Sequence, residues 1–309
     1  MQPALPNPLP TRSAVHDPAI SNRAASHKFD APRPLALWHL TSLDAPTVAV
    51  VWTLAFAWAA RVPLPVWVPV LLALVAWPVY IADRLLDARS AHATAQLHRL
   101  RQRHHFHWNH RKIFFPLALA SACAAVVVVF SFMPIAARER NSVLAAAALV
   151  YFSSVHSPHR LPLPKSRIFS KEFLVAILFT AACTLPTLSR TAATSPTTFW
   201  PLLLSAAFFT LLAWLNCHAI ERWESSPSRS GITVPAILLT LTALLLSATL
   251  FVVHHSRPAV LIAAAGASAL LLALLDRQRN RLTPLALRAT ADLVLLTPVL
   301  LTPLAMLRQ

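Results

Sequence analysis

Two short acidic phrases stand where long apolar runs end, and their residue types and spacing point to metal and phosphate chemistry. The first is Tyr80-Ile81-Ala82-Asp83-Arg84-Leu85-Leu86-Asp87, closing the run from Leu64. The second is His218-Ala219-Ile220-Glu221-Arg222-Trp223-Glu224, closing the run from Phe199. Only 11 of the 309 residues are acidic, so four of them at two matching borders require a reason. A carboxylate beside lipid is costly unless a cation or hydrogen bonds offset its burial. On a helix Asp83 and Asp87 share one face, as do Glu221 and Glu224. Two such faces meeting in a bundle make a pocket for a hard divalent metal. Mg²⁺ takes one or two carboxylates and completes its shell with phosphate oxygens and water, which suits a lipid diphosphate at the mouth of an apolar cavity.

The elements that must carry these residues follow from composition. Hydrophobic residues make up 56% of the chain and charged ones 12%, which excludes an ordinary soluble domain. The expectation is an all-α, polytopic membrane protein: about nine transmembrane helices in a bundle, with a cytoplasm-facing polar site over an apolar cavity. The spans read at about 37–60, 64–87, 113–134, 141–157, 172–189, 198–222, 232–254, 257–275 and 285–307. Residues 1–34 hold no apolar run and read as a disordered cytoplasmic tail, leaving 35–309 as the membrane domain. Two glycines exclude a Gly-rich nucleotide loop, and Cys123, Cys183 and Cys217 lack metal spacing and read as apolar packers.

Lys and Arg concentrate in the tail and in the even-numbered connections, above all 84–112 and 160–171. The positive-inside rule then puts the N-terminus and both acidic phrases in the cytoplasm and the C-terminus outside, in a bacterial inner membrane. The net charge of +16 is mostly topological and calls for no nucleic-acid partner; the basic loops attract anionic headgroups and phosphorylated ligands.

A span count near nine, the DxxxD spacing of Asp83 and Asp87 ending the second span, and the acidic phrase ending the sixth together resemble the UbiA-type intramembrane prenyltransferases. The resemblance covers about residues 35–309. It implies that Asp83, Asp87 and Glu221 are catalytic and hold Mg²⁺ against the diphosphate of a polyprenyl donor; Glu224, one residue before the position of the family's next acid, is a further candidate metal ligand on its own chemistry. The prenyl group would pass to a lipophilic, usually aromatic, acceptor. Val79 and Tyr80 stand where that family has Asn and Asp, and Ser225 stands where its second motif ends in an acid. A catalytically silent lipid-binding or scaffold member is therefore the alternative, with a transporter behind it.

Around the acids, Arg84, Arg160, Lys165 and Lys171 are candidate cations for the departing diphosphate, and simple topology is the competing explanation for them. Asn216 offers an amide oxygen near the second phrase. Tyr80, Trp214 and Trp223 offer ring faces to a cation, or act as border anchors. Asp44, before Ala45 and Pro46, reads as a helix N-cap. Arg288 and Asp292 read as an intrahelical pair. The run His104-His105-Phe106-His107-Trp108-Asn109-His110 reads as a solvated basic patch. The orientation predicts that a Ser90→Cys variant resists a membrane-impermeant thiol reagent in intact cells and reacts after lysis; labelling of intact cells would overturn it.

Overall fold

A computed structural model describes residues 28–95, 100–156, 171–194, 196–225 and 231–301. Among them every regular element is a helix, and the sole extended pairing is one bridge between Phe29 and Leu282. The helices are α1 (Arg33–Leu40), α2 (Asp44–Ala60), α3 (Trp67–Ala93), α4 (Gln102–Asn109), α5 (Arg111–Phe132), α6 (Ile135–His156), α7 (Lys171–Thr194), α8 (Pro196–Ser225), α9 (Thr233–Val252), α10 (Ser256–Gln278) and α11 (Pro284–Leu293), which continues as a 3₁₀ segment, Val294–Leu301. Six of them (α3, α5, α7, α8, α9 and α10) are long and apolar enough to cross a membrane, or up to seven spans if α1 and α2 are one broken span. Among the described residues the nine expected runs fall on helices, with 302–307 of the ninth outside them, but α6 and α11 do not meet that test of length and composition. Many outward side chains are apolar, among them Phe130, Val127, Leu149 and Leu245. Such a surface is compatible with an integral membrane protein.

Backbone polarity constrains where these helices can bend. Between α1 and α2 the chain turns by 90° at Thr41–Leu43, and Ser42 takes a left-handed φ of 62°. The carbonyls released by the break are met by side chains. Trp77 donates to Thr41 O at 2.9 Å and Arg84 to His39 O at 3.3 Å. Within α3, Pro78 lacks the N–H that Leu74 O would accept in a regular helix; the Ser121 hydroxyl of α5 donates to that carbonyl instead, at 3.0 Å.

The core lies along α2, α8 and α10, where Trp52, Phe56 and Phe209 are fully buried and Trp52 stacks on Phe209 with centroids 4.0 Å apart. Trp52 ties this core to the C-terminal segment through Leu295 O, at 2.9 Å. Of the tail, Phe29 pairs with the connection before α11: Phe29 N donates to Arg281 O at 2.7 Å, and Thr283 N to Phe29 O at 3.0 Å. Residues 1–27, most of the segment expected to be disordered, lie outside the described residues.

Helices α9 and α10 approach closely enough that small residues decide the fit. A Cβ on Gly266 would sit 2.7 Å from Ala243 Cβ, an atom fixed to its backbone. Gly266→Ala therefore pushes these helices apart, and the expected loss is about 1–3 kcal/mol in thermal or denaturant unfolding in detergent; an unchanged stability would contradict the close packing.

Candidate functional site

The C-terminal ends of α3 and α8, the start of α7, the end of α6 and the short helix α4 meet at one end of the bundle. One turn of α3 faces two ways there. Successive residues on a helix are about 100° apart, so Asp83 and Asp87 share a face while Arg84 turns inward. Arg84 is buried, whereas the side chains of Asp83 and Asp87 remain 44% and 50% exposed. His156, the last residue of α6, lies across the acidic face: its Nε2 is 3.2 Å from Asp83 Oδ1 and its Nδ1 3.9 Å from Asp87 Oδ1. His104 Nε2 stands 3.6 Å from Asp87 on the other side.

The second phrase reaches the same vestibule. Lys171, at the start of α7 and largely exposed, has its Nζ 3.6 Å from both Glu221 and Glu172. The two carboxyl groups, on one ammonium, stand where they could share a proton or a cation. Glu224 is held differently, gripped by Arg101 and, at 2.5 Å, by Arg288. Arg101 links the phrases: burial holds its guanidinium below the ordinary arginine value, and the carboxylates of Glu221 and Asp87 both oppose that shift. Asp83, Asp87, Glu221 and Glu224 thus gather at one end, each with a basic neighbour. Arg160 and Lys165 lie outside the described residues.

Behind the vestibule is a second, buried group. His39 Nδ1 is 2.7 Å from Asp44 Oδ2 and 3.1 Å from Asp292 Oδ2. Ligand atoms of these three residues all fall within 4.8 Å of one another. Asn216 donates to Asp292 at 3.2 Å, so its amide joins this group and not Glu221. Arg84 lies 3.7 Å from Asp44 and donates to the Ser42 hydroxyl. That hydroxyl contacts His107 Nε2 at 3.0 Å, while His107 Nδ1 donates to Arg103 O at 2.9 Å. Arg84 therefore does not reach the vestibule. Its guanidinium also lies 6.0 Å from the ring centroid of half-buried Tyr80.

Several local expectations give way to these contacts. Asp44 is the first residue of α2, with Leu43 at the cap position; its Oδ1 accepts from Ala45 N at 2.9 Å, while its Oδ2 faces His39 and Arg84. Arg288 pairs with Glu224, and Asp292 with His39 and Asn216, so the intrahelical pair does not form. Trp223 is buried, donating to Asp276 at 2.8 Å, and is no border anchor. His104 and His107 are buried instead of solvated. Two large cavities, of about 600 and 490 Å³, are lined by other residues than the four acids.

His104 accepts from Arg101 N at 3.2 Å. Burial, reinforced by Arg103 and Arg84, pushes its pKa down to about 3. Burial likewise lowers His107 to about 4, the bond to Arg103 O opposing it and the charge of Arg84 adding to it. In the unfolded chain both titrate near about 6.5. Their neutral burial therefore contributes fully above about pH 6.5, and it is lost as pH falls toward 4, because the unfolded chain takes up protons first. Stability in detergent should fall across that window by up to about 1.4 kcal/mol per pH unit for each histidine. His107→Gln should shallow the slope; an equally steep profile in that variant would contradict the assignment.

No protein-family model, no curated protein and no solved structure matches this chain.

Proposed function

We propose that this protein is an intramembrane transferase of the UbiA type, moving a prenyl group from a polyprenyl diphosphate to a lipophilic, aromatic acceptor within the membrane. The observation that carries the reading is the meeting of two acidic phrases, Asp83 with Asp87 and Glu221 with Glu224, in one vestibule with Lys171 and Arg101 between them and Glu172 of α7 beside Glu221. Carboxylates alternating with cations suit a metal-bridged diphosphate better than a neutral ligand. The reading includes nine spans, with this vestibule and the N-terminus on the cytoplasmic side of a bacterial inner membrane.

The carboxylates fit Mg²⁺ unequally. Asp83 and Asp87 are half-exposed, point the same way and have imidazoles for neighbours, which can yield to a metal. Glu221 is 46% exposed and already shares a cation with Glu172. Glu224 sits between two guanidiniums and is better suited to hold α4 and α11 against α8. Mg²⁺ on Asp83, Asp87 and Glu221 would neutralise the charge developing on the diphosphate as the allylic C–O bond breaks. Lys171 reaches the diphosphate oxygens, and Arg101 adds positive charge between the phrases. Arg160 and Lys165 belong to the same proposal. The acceptor carbon then bonds to the allylic carbon and loses its proton.

A second reading, a silent lipid-binding or scaffold protein, is favoured by the basic neighbour that each of the four acids already has. Purified protein should be thermally stabilised by a prenyl diphosphate only when Mg²⁺ is present. Asp83→Asn and Asp87→Asn should remove that effect. Glu221→Gln should cost about 10²-fold in turnover, and Glu224→Gln far less once its loss of stability is allowed for. Equal stabilisation in excess chelator, or turnover indifferent to Asp83 and Glu221, would leave the silent reading.

A further inference from the structure

We propose that the cavity at the end of the bundle opposite the carboxylates binds an anionic phospholipid, with its phosphate at the arginine-lined mouth and an acyl chain inside. This site uses none of the residues of the transferase reading and rests on it only for the orientation in the membrane. It is lined by the first turns of α3, from Trp67 to Val75, whereas the acids lie at the other end of that helix. Its remaining walls come from the end of α5, from α6 and from α7. The volume, about 490 Å³, falls within the range of roughly 300–1,000 Å³ typical of small-molecule sites.

The walls and the mouth differ in chemistry. Leu71, Leu72, Leu144, Leu178 and Ala182 face the interior, while Arg138, Arg140, Arg190 and Asn141 are grouped toward the ends of their helices. No carboxylate is among the described lining residues. An amphiphile with an anionic head and an apolar tail matches both parts, as in basic pockets between transmembrane helices that hold lipid headgroups.

The arginines are also unexplained by topology. The connections at this end of the chain carry few cations, namely Arg61, Arg138, Arg140, Arg190 and Arg257, since charge is disfavoured on the translocated side. Three of those five line this one cavity. Two are held in place by backbone: Arg138 donates to Phe130 O at 2.9 Å and Met133 O at 2.8 Å, and Arg190 to Pro186 O at 2.6 Å. These bonds keep the guanidiniums at the rim with their charge intact, and charge-assisted bonds to a phosphate are the strong ones. Helix α6, which forms one wall, has no buried residue. A lipid chain against Leu144, Ala145 and Ala148 would cover the face that α6 turns toward the bundle.

The test is native mass spectrometry and thermal unfolding of the purified full chain, with phosphatidylglycerol and phosphatidylcholine of identical acyl chains, and inorganic phosphate as a third arm. Phosphatidylglycerol should be retained and should stabilise, phosphatidylcholine much less. Arg140→Gln and Arg190→Gln should each weaken phosphatidylglycerol retention about fivefold, the effect of removing one cation near a phosphate surface. Ala182→Phe, which puts a ring into the path of the acyl chain and leaves the arginines, should sharply reduce retention. Arg140 is exposed, so its variant keeps the test valid should Ala182→Phe misfold. Equal retention of the two lipids, or retention indifferent to both arginine variants, would overturn the proposal. Stabilisation by inorganic phosphate alone, surviving in Ala182→Phe, would replace it with a simple anion site.

Discussion

One buried guanidinium organises the end of the bundle on which everything else depends. Arg84 carries its charge into the interior beside the 90° break between α1 and α2, where His39 O, already bonded to Ser42 N, has a second lone pair to offer it. A buried cation without acceptors is expensive. With Asp44 and Ser42 completing the set, cation and acceptors stabilise one another. Because α3 is rigid, fixing Arg84 inward turns Asp83 and Asp87 outward as a pair. Arg84 is thus a positioning residue, and the metal-binding capacity proposed for the vestibule follows from where this side chain is tied down.

Two polar compartments result, with different physics. In the inner one, Asp44, Asp292, His39 and Arg84 are shielded from solvent, so attraction between them is strong and loss of any partner leaves an uncompensated charge. That group joins segments far apart in sequence, α1, α2, α3 and α11, and acts as a clasp. The outer compartment is partly open, and its pairs are long, at 3.2–3.9 Å. Such contacts are weak and exchangeable, which is what a site needs if its carboxylates are to give up protein cations for a metal and a diphosphate. Glu224, locked by two arginines, belongs with the clasp.

Much of this was legible before the fold was known. Apolar runs of spanning length, nearly free of charge, leave few alternatives to helices, and wherever the nine are described they fall on helices. Asp83, Asp87 and Glu221 stood out because acids are rare here and these close apolar runs. The inner clasp was not legible, since local rules gave each member a satisfying role of its own. An Asp before Ala-Pro suggests a cap, and an Arg four residues before an Asp suggests a helical pair. The helical pair lost to partners up to 253 residues away, and the cap carboxylate gives only one oxygen to its own helix, the other to His39 and Arg84. His104 and His107 read as solvated because Arg and Lys flank them, yet Ser42 buries one and the α4 turn the other. His156 and Glu172 carried no signal beyond standing at helix ends; Asp292, the ionisable group within the last apolar run, did carry one.

The central claim is that carboxylates from two phrases on different helices serve one metal-bridged anion site. Electron paramagnetic resonance of Mn²⁺, used in place of Mg²⁺ on the purified protein with inorganic diphosphate present, tests this most directly. The account predicts bound Mn²⁺ whose signal broadens with diphosphate and is lost in both Asp83→Asn and Glu221→Gln, while Glu224→Gln keeps it. A signal that survives in Glu221→Gln, or no bound Mn²⁺ at all, would contradict the claim.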